Sequence, residues 1–252
     1  MQTAAFISDI HANLEALETV LADIRRRRIE EVYCLGDVVG YGPDPVDCTE
    51  LVMSRCRQTI RGNHDEAMVR GPVGFNPLAR EAIEWTRRAM RPRIWSAASR
   101  RRWNFLAGLP LQADWDGFLL VHGSPRDPTS EYIMDRDILF GPPNMFAEIF
   151  ARFDRVCLVG HTHIPGIFYE GPRFVPQREV PEAFAFEGKK MVINVGSVGQ
   201  PRDHDPRACY VTSEGGAFHF HRLEYDFKTT QRKLRAIPQL DQRLADRLAE
   251  GA

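Results

Sequence analysis

At 252 residues with 43% hydrophobic content, the chain is long enough to bury a sizeable core as one large domain or two small ones. A formal charge of -1 gives no global pull toward nucleic acid or an anionic membrane, so any preference for a polyanion has to come from local patches. The five cysteines, Cys34, Cys48, Cys56, Cys157 and Cys209, are odd in number and lack C-x-x-C spacing, and they read as reduced, mostly buried thiols. No basic segment leads into an apolar signal core, and no apolar stretch reaches about 18 residues. The cytoplasm is therefore the expected compartment, with no membrane partner.

In chain order, residues 3–8 form a β-prone run that ends in Ser8-Asp9-Ile10-His11. From Asn13 the spacing of Leu14, Leu17, Val20, Leu21 and Ile24 predicts an amphipathic helix, closed by Arg25 to Arg28 where cations suit the macrodipole. A second strand over 31–35 ends in Gly36-Asp37, followed by a turn-rich loop over 40–45. A short helix over 46–53 and a strand over 57–60 then deliver Arg61-Gly62-Asn63-His64-Asp65 as a third strand-end loop. This β-α-β order predicts a parallel α/β front half. Two helices over 77–90 and 96–106 follow, and a strand over 117–121 ends at His122-Gly123-Ser124. An apolar helix over 143–153 feeds a strand over 156–159 that ends in Gly160-His161-Thr162-His163. Beyond it, short strands over 166–169, 183–186, 191–195, 208–212 and 218–223 are expected to add to a second sheet in antiparallel fashion, the last pair turning at Gly215-Gly216. A polar helical tail over 227–248 breaks near Pro238. The domain reading is one unit over 1–252, with a helical insertion at about 71–110 and a C-terminal hairpin plus helix at about 207–252.

Five clusters thus follow apolar β-prone runs, the place where α/β proteins put their sites. Their Asp and Asn oxygens and His nitrogens suit Mn, Fe or Zn rather than a thiolate-loving ion. Asp9 and His11, like His161 and His163, are two apart, so an extended strand end would point each pair to one side. Asp37 is then placed to bridge two ions about 3.5–4 Å apart, which acidify a water to hydroxide. His64, beside Asn63, is placed to protonate the leaving oxygen of a phosphoester.

The motifs D-I-H, G-D, G-N-H-D, H-G and G-H-T-H, in that order from Ser8 to Arg202, resemble those of the calcineurin-like metallophosphoesterase family. The resemblance implies an α/β fold, a four-layer α/β/β/α sandwich of two mixed sheets flanked by helices. It also implies two divalent ions, Mn foremost with Fe, Zn or Ni as alternatives. One would be held by Asp9, His11, Asp37 and His163, the other by Asp37, Asn63, His122 and His161, with His64 as catalytic histidine. The implied activity is a phosphodiesterase acting on small or nucleotide-like phosphoesters through a metal-bridging hydroxide. Asn194-Val195-Gly196-Ser197 resembles the N-P-G-S motif of small bacterial phosphodiesterases of the family, with Val195 in place of Pro. Backbone amides there, Ser197 and Arg202 are accordingly candidate substrate contacts. Relatives that act on phosphoproteins carry an Asp-Arg pair just after G-D, where this chain has Val38-Val39. That argues against efficient phosphoprotein chemistry and leaves His64 without the carboxylate partner of those relatives. The alternatives are a nuclease, a phosphoprotein or dinucleoside polyphosphate phosphatase, and a non-catalytic binding scaffold of the same fold.

Other polar clusters read more plainly. His204 has no cluster around it, and His219 and His221 alternate along a probable strand as a solvated face. Arg80, Arg87, Arg88, Arg91, Arg93 and Arg100 to Arg102 make the helical insertion basic; a solvated helix face is preferred over a nucleotide or nucleic-acid track. Trp85, Trp95 and Trp103 are assigned to core or interface packing. Tyr41, in the loop after Asp37, is the aromatic expected to line the site.

Overall fold

In the computed structural model, which describes residues 3–252, the chain folds as two six-stranded mixed sheets packed face to face and flanked by helices. The front half follows from local pattern. β1 (Ala4–Ile7) runs parallel to β2 (Glu31–Cys34), joined by α1 (Leu14–Arg26). Asn13 caps α1 by accepting from the Ala16 amide, and Ala16, Leu17, Val20 and Ile24 bury one stripe against the sheet. α2 (Pro45–Arg55) leads to β3 (Gln58–Thr59), parallel to β2, and α3 (Asn63–Arg70) follows, a helix where the local pattern predicts a loop. α4 (Pro77–Met90) and α5 (Ala97–Ala107), capped by Asn76 and Ser96, complete this helical layer.

β4 (Gln112–Trp115) and β5 (Phe118–Val121) form a hairpin across Asp116-Gly117, both with left-handed φ. α6 (Asp137–Phe140) and α7 (Met145–Phe150) precede β6 (Val156–Val159). α7 is shorter than predicted because Asn144 takes a left-handed turn after Pro142-Pro143 and the helix stops at Phe150. β7 (Gly166–Tyr169), β8 (Arg173–Pro176), β9 (Phe184–Ala185), β10 (Met191–Asn194), β11 (Ala208–Glu214) and β12 (Ala217–Leu223) follow, then α8 (Phe227–Arg235) and α9 (Arg243–Glu250).

The first sheet has the order β3-β2-β1-β11-β12-β9 and the second β4-β5-β6-β10-β7-β8. This corrects the expectation for the late strands. The β11–β12 hairpin joins the first sheet beside β1, and β10 lies parallel to β6 on one side while pairing antiparallel with β7 on the other. Alternation along the strands builds the layers. Ala4 and Phe6 face the core between the sheets with Trp115, Phe118, Leu158 and Ile193, whereas Ala5 and Ile7 face α1. Phe6 meets Trp115 edge-on at 5.1 Å. On β6, Cys157 and Val159 turn outward against Phe146, Ile149 and Phe150 of α7. Truncating a fully buried ring such as Phe6 to alanine is worth about 3–5 kcal/mol. The parallel strands β1, β2, β3, β5 and β6 all end at one edge of the sandwich, and α8 and α9 pack Leu234, Leu244 and Leu248 against Tyr41 beside that edge.

Candidate metal centre

The turns that carry the site leave the strand ends in left-handed backbone. Asp9, His11, Asp37, His161 and His163 all have φ between 47° and 68°. Each such non-glycine residue costs about 1–2 kcal/mol, the kind of strain folds keep at functional sites. The expectation that two-residue spacing in extended chain aligns Asp9 with His11 and His161 with His163 is therefore corrected. The alignment comes from tight turns. These turns hold one another, with Asp9 N donating to Gly36 O at 3.1 Å and His11 N to Asp37 O at 2.9 Å.

The carboxylates are fixed by backbone amides. Asp37 Oδ1 accepts from His64 N at 2.8 Å, which leaves Oδ2 at 3.5 Å from His11 Nε2 and 3.4 Å from His122 Nε2. Asp9 Oδ2 accepts from His161 N at 3.0 Å, and its buried Oδ1, 3.3 Å from His163 Nε2, accepts no hydrogen bond among the described residues. Two glycines make this closeness feasible. A Cβ on Gly62 would sit 2.0 Å from Asp37 Oδ1, and one on Gly160 would sit 2.0 Å from Ser8 Oγ.

Backbone carbonyls orient the imidazoles, as outer partners do for metal-binding histidines. Nδ1–H of His11, His122 and His163 donates to Val39 O, Leu35 O and Gln200 O respectively, so each presents Nε2 inward. His161 is reversed: Nε2–H donates to Ser130 O at 3.2 Å and Nδ1 is the free nitrogen. The lone pairs of His11 Nε2 and His163 Nε2 face each other at 3.1 Å, with Asp9 Oδ1 beside them. No hydrogen bond satisfies two lone pairs; a shared cation does. Asn63 Oδ1 lies 3.2 Å from His122 Nε2, which adds an oxygen donor to the second group. The ligating atoms of Asp9, His11 and His163 lie within 4.8 Å of one another, as do those of Asp37, His122 and His161. This oxygen-and-imidazole set fits divalent ions of the Mn, Fe and Zn kind.

Electrostatics agree with that fit. Burial alone would raise Asp37, but His122 and His64 outweigh it and hold the carboxyl well below its usual range. For Asp9, burial is likewise outweighed, by His163. Burial would lower His122, yet the Asp37 charge and hydrogen bond push it up to about 9. Burial lowers His11 and His163, and it takes His161 down to about 3.

His64 lies in the first turn of α3, its ring 4.4 Å from Tyr41 and 5.1 Å from Phe75. Its Nδ1 faces Gly40 and has no partner among the described residues, so no carboxylate hydrogen-bonds to it there. Burial lowers it to about 4, against the opposing pull of Asp37. Asp65 was missed by the sequence reading. It accepts from Val38 N, Val39 N and Gly62 N, tying the G-D turn to the start of α3 as a capping residue, and burial raises it to about 7. Its signal was available: an acid three residues after Gly62 marks a helix start. Tyr132 was also missed; its ring stacks on His161 at 3.8 Å.

The three candidate substrate contacts part company. Ser197 is fully buried, donating to Asp9 O and accepting from Gln200 N, and the amides of Gly196, Val198 and Gly199 bond Asn194, Ser8 and Asp9. This segment holds the Asp9 turn, so it offers neither the hydroxyl nor those amides to a phosphate, which corrects the expectation. Tyr41 is buried between His11, His64 and α9, backing the histidines rather than lining open space. Arg202 is half-buried, 5.9 Å from the Tyr41 ring, with no carboxylate within salt-bridge distance among the described residues. In the insertion, Arg101 and Arg102 pair with Glu50, and Arg87 donates to Ala67 O. A 600 Å³ hollow there is lined by Arg87, Arg88, Arg91 and Trp103 and by none of the expected ligands. Trp95, assigned to packing, is instead 95% exposed. His221 is half-buried, bonded to Thr212 and stacked on Tyr210, so it is less solvated than expected.

Comparison with known proteins places this arrangement. The chain is 37% identical to a metallophosphoesterase from Sphaerobacter thermophilus whose crystal structure superposes with a TM-score of 0.83, covering 100% of this chain and 99% of that one. An uncharacterised protein of Methanocaldococcus jannaschii is 34% identical over 241 residues, 91% of this chain and 90% of the relative. A hypothetical protein from Pyrococcus horikoshii OT3 shares the fold at a TM-score of 0.73 and 19% identity, covering 100% and 99% of the two chains. The calcineurin-like phosphoesterase superfamily domain matches residues 1–215. On the motifs, the fold and these likenesses together, the chain belongs to the calcineurin-like phosphoesterase superfamily.

Proposed function

We propose that the protein is a dinuclear metal-dependent phosphodiesterase acting on small or nucleotide-like phosphoesters. The observation that carries this reading is Asp37 Oδ2, nearly equidistant from His11 Nε2 at 3.5 Å and His122 Nε2 at 3.4 Å, with a separate donor group on each side. Asp9, His11, Asp37 and His163 would hold one cation, and Asp37, Asn63, His122 and His161 the other. Bound there, the cations would supply Lewis acidity toward phosphoryl oxygens and acidify a water as nucleophile, with Mn first among Mn, Fe, Zn and Ni.

The side chains do the rest. His64 Nδ1 is walled in by Gly40, which leaves Nε2 for the leaving oxygen. Burial makes its imidazolium a strong acid, so a proton taken up there passes readily to an alkoxide. With no carboxylate partner, His64 is suited to the better leaving groups and to diesters, which carry one charge fewer than monoesters. The four thiols buried away from solvent agree with a cytoplasmic setting, and no described helix is long and apolar enough to cross a membrane.

The test compares Mn-dependent hydrolysis of bis(p-nitrophenyl) phosphate and p-nitrophenyl phosphate by the chelated and remetallated protein. The expected result is a diester preference lost on chelation and restored by Mn. A preference for the monoester would overturn the diesterase assignment, and inactivity on both with Mn, Fe, Zn and Ni would overturn the hydrolase reading.

A further inference from the structure

The loop between β5 and the Tyr132 ring is tied down along its length. Gly123 N donates to Pro128 O, Ser124 N to Asp127 O, and Asp127 Oδ1 accepts from the amides of Thr129 and Ser130. Arg126 clamps Glu131 and reaches Glu148 of α7 at 2.6 Å. A Cβ on Gly123 would sit 2.8 Å from Asp127 O, so the turn is tight as well as bonded. The loop makes two deliveries to the metal centre. Ser130 O accepts a hydrogen bond from His161 Nε2–H, and the Tyr132 ring lies nearly parallel to the His161 ring, 22° apart with centroids 3.8 Å apart.

Only one face of Tyr132 is used in this way. The residue is 46% exposed, and its hydroxyl makes no hydrogen bond among the described residues. Tyr132 lines a cleft of about 460 Å³ together with the apolar Met134, Met145 and Ile164, the guanidinium groups of Arg136 and Arg202, and the acids Glu131 and Asp137. That volume is within the range of small-molecule sites, about 300–1,000 Å³. Methionine walls adapt to flat rings of varied shape. Arg202 gives one hydrogen bond to Gln200 Oε1, keeps a buried Nε without a partner, and has no carboxylate to neutralise it among the described residues. An aromatic platform and a guanidinium without a salt bridge thus line one cleft, and the platform itself stacks on a proposed metal ligand.

We propose that this cleft is the subsite for an aromatic or heteroaromatic substituent of the ester, with Tyr132 as its stacking platform and Arg202 as the contact to phosphoryl oxygens. The substrate class is then a phosphodiester bearing an aryl or nucleobase group, not a simple alkyl ester. This assignment rests on the phosphoesterase reading above. A tyrosine placed only to brace His161 would need one ring face covered and would not need the other left open to a cleft with apolar walls.

The experiment pairs two esters with the same leaving group, bis(p-nitrophenyl) phosphate and methyl p-nitrophenyl phosphate, so that only the second substituent differs. In the Mn-loaded protein kcat/KM is expected to favour the aryl ester by about tenfold, the scale of one aromatic stack. Tyr132→Ala should collapse that ratio to the statistical value set by two equivalent leaving groups against one, and Tyr132→Phe should keep it. Loss of both activities in equal proportion would show Tyr132 to be a prop for His161 and overturn the subsite, as would a wild-type ratio at that statistical value. Calorimetric titration of the chelated protein with phenyl phosphate and methyl phosphate decides the cleft independently of turnover. Tighter binding of phenyl phosphate that disappears in Tyr132→Ala supports the subsite, and equal binding overturns it. Inactivity toward both esters alongside selective phenyl phosphate binding would sink the hydrolase reading while leaving the cleft assignment standing.

Discussion

The candidate metal centre and the helical insertion are both rich in ionisable side chains, yet they treat charge in opposite ways. In the insertion, Arg101 and Arg102 meet Glu50, Arg87 meets a carbonyl, and Arg88 and Arg91 look out to solvent. In the centre, carboxylates and imidazoles are buried with lone pairs facing one another and an unpartnered Asp9 oxygen among them. Burying polar atoms without partners costs about 1–3 kcal/mol each, and a fold keeps such atoms where a ligand completes them. The presence of ionisable side chains alone therefore does not separate a site from a surface. Burial without compensation does.

The largest test of that contrast is Asp37→Ala. Mn-dependent hydrolysis should fall to background and bound metal, counted by elemental analysis, should fall with it; full activity would sink the mechanism. His64→Ala should cost about 10²–10⁴-fold in kcat while keeping its metal, which separates proton donor from ligand. Asp23 sharpens the contrast because it is buried but fully paired, with Arg26, Arg27 and Tyr210. Burial works to raise its carboxyl, and the hydrogen bonds from Arg27 and Tyr210 win and lower it. Its stabilisation is thus present above the ordinary carboxylate pKa of about 3.9 and is lost as pH falls through its lowered folded value. Thermal melts from pH 6 to about pH 2 should show a steeper acid decline in the wild type than in Asp23→Asn; parallel profiles would remove Asp23 from the account. The smallest effect is expected for Arg101→Ala with Arg102→Ala. Exposed pairs are worth about 1 kcal/mol or less, and kcat/KM should not move. A large activity loss would give the insertion a role in substrate binding after all.

Much of the candidate centre was legible because its proposed ligands sit in short motifs directly after apolar runs. β1, α1, β2, β6 and β7 were equally plain, since their periodicity is local. Partner choice among strands was not. Nothing local in Ala208–Glu214 tells whether it pairs with β1 or with β10; sheet membership is decided by the core between the sheets. β4 and β8 escaped notice as edge strands, one polar and one ending in Pro176, although Asp116-Gly117 is a strong hairpin signal beside the first. The left-handed turns at Asp9 and His161 were misread as extended chain because favourable backbone preferences describe the average residue, and these positions are held against that preference by their neighbours. Tyr132 lay outside every motif, and only the folded loop brings it to His161.

The Asp9 turn does more than bind. Its Oδ2 takes the His161 amide from beyond β6 in the second sheet, while Ser197 and Gly199, on the segment that crosses from β10 to β11, bond its carbonyl. The two halves of the sandwich are thus riveted at a residue proposed to hold a cation. Any slip of one sheet over the other would change the spacing of the proposed donor groups together with the core, so that spacing is a gauge of how the two sheets are aligned.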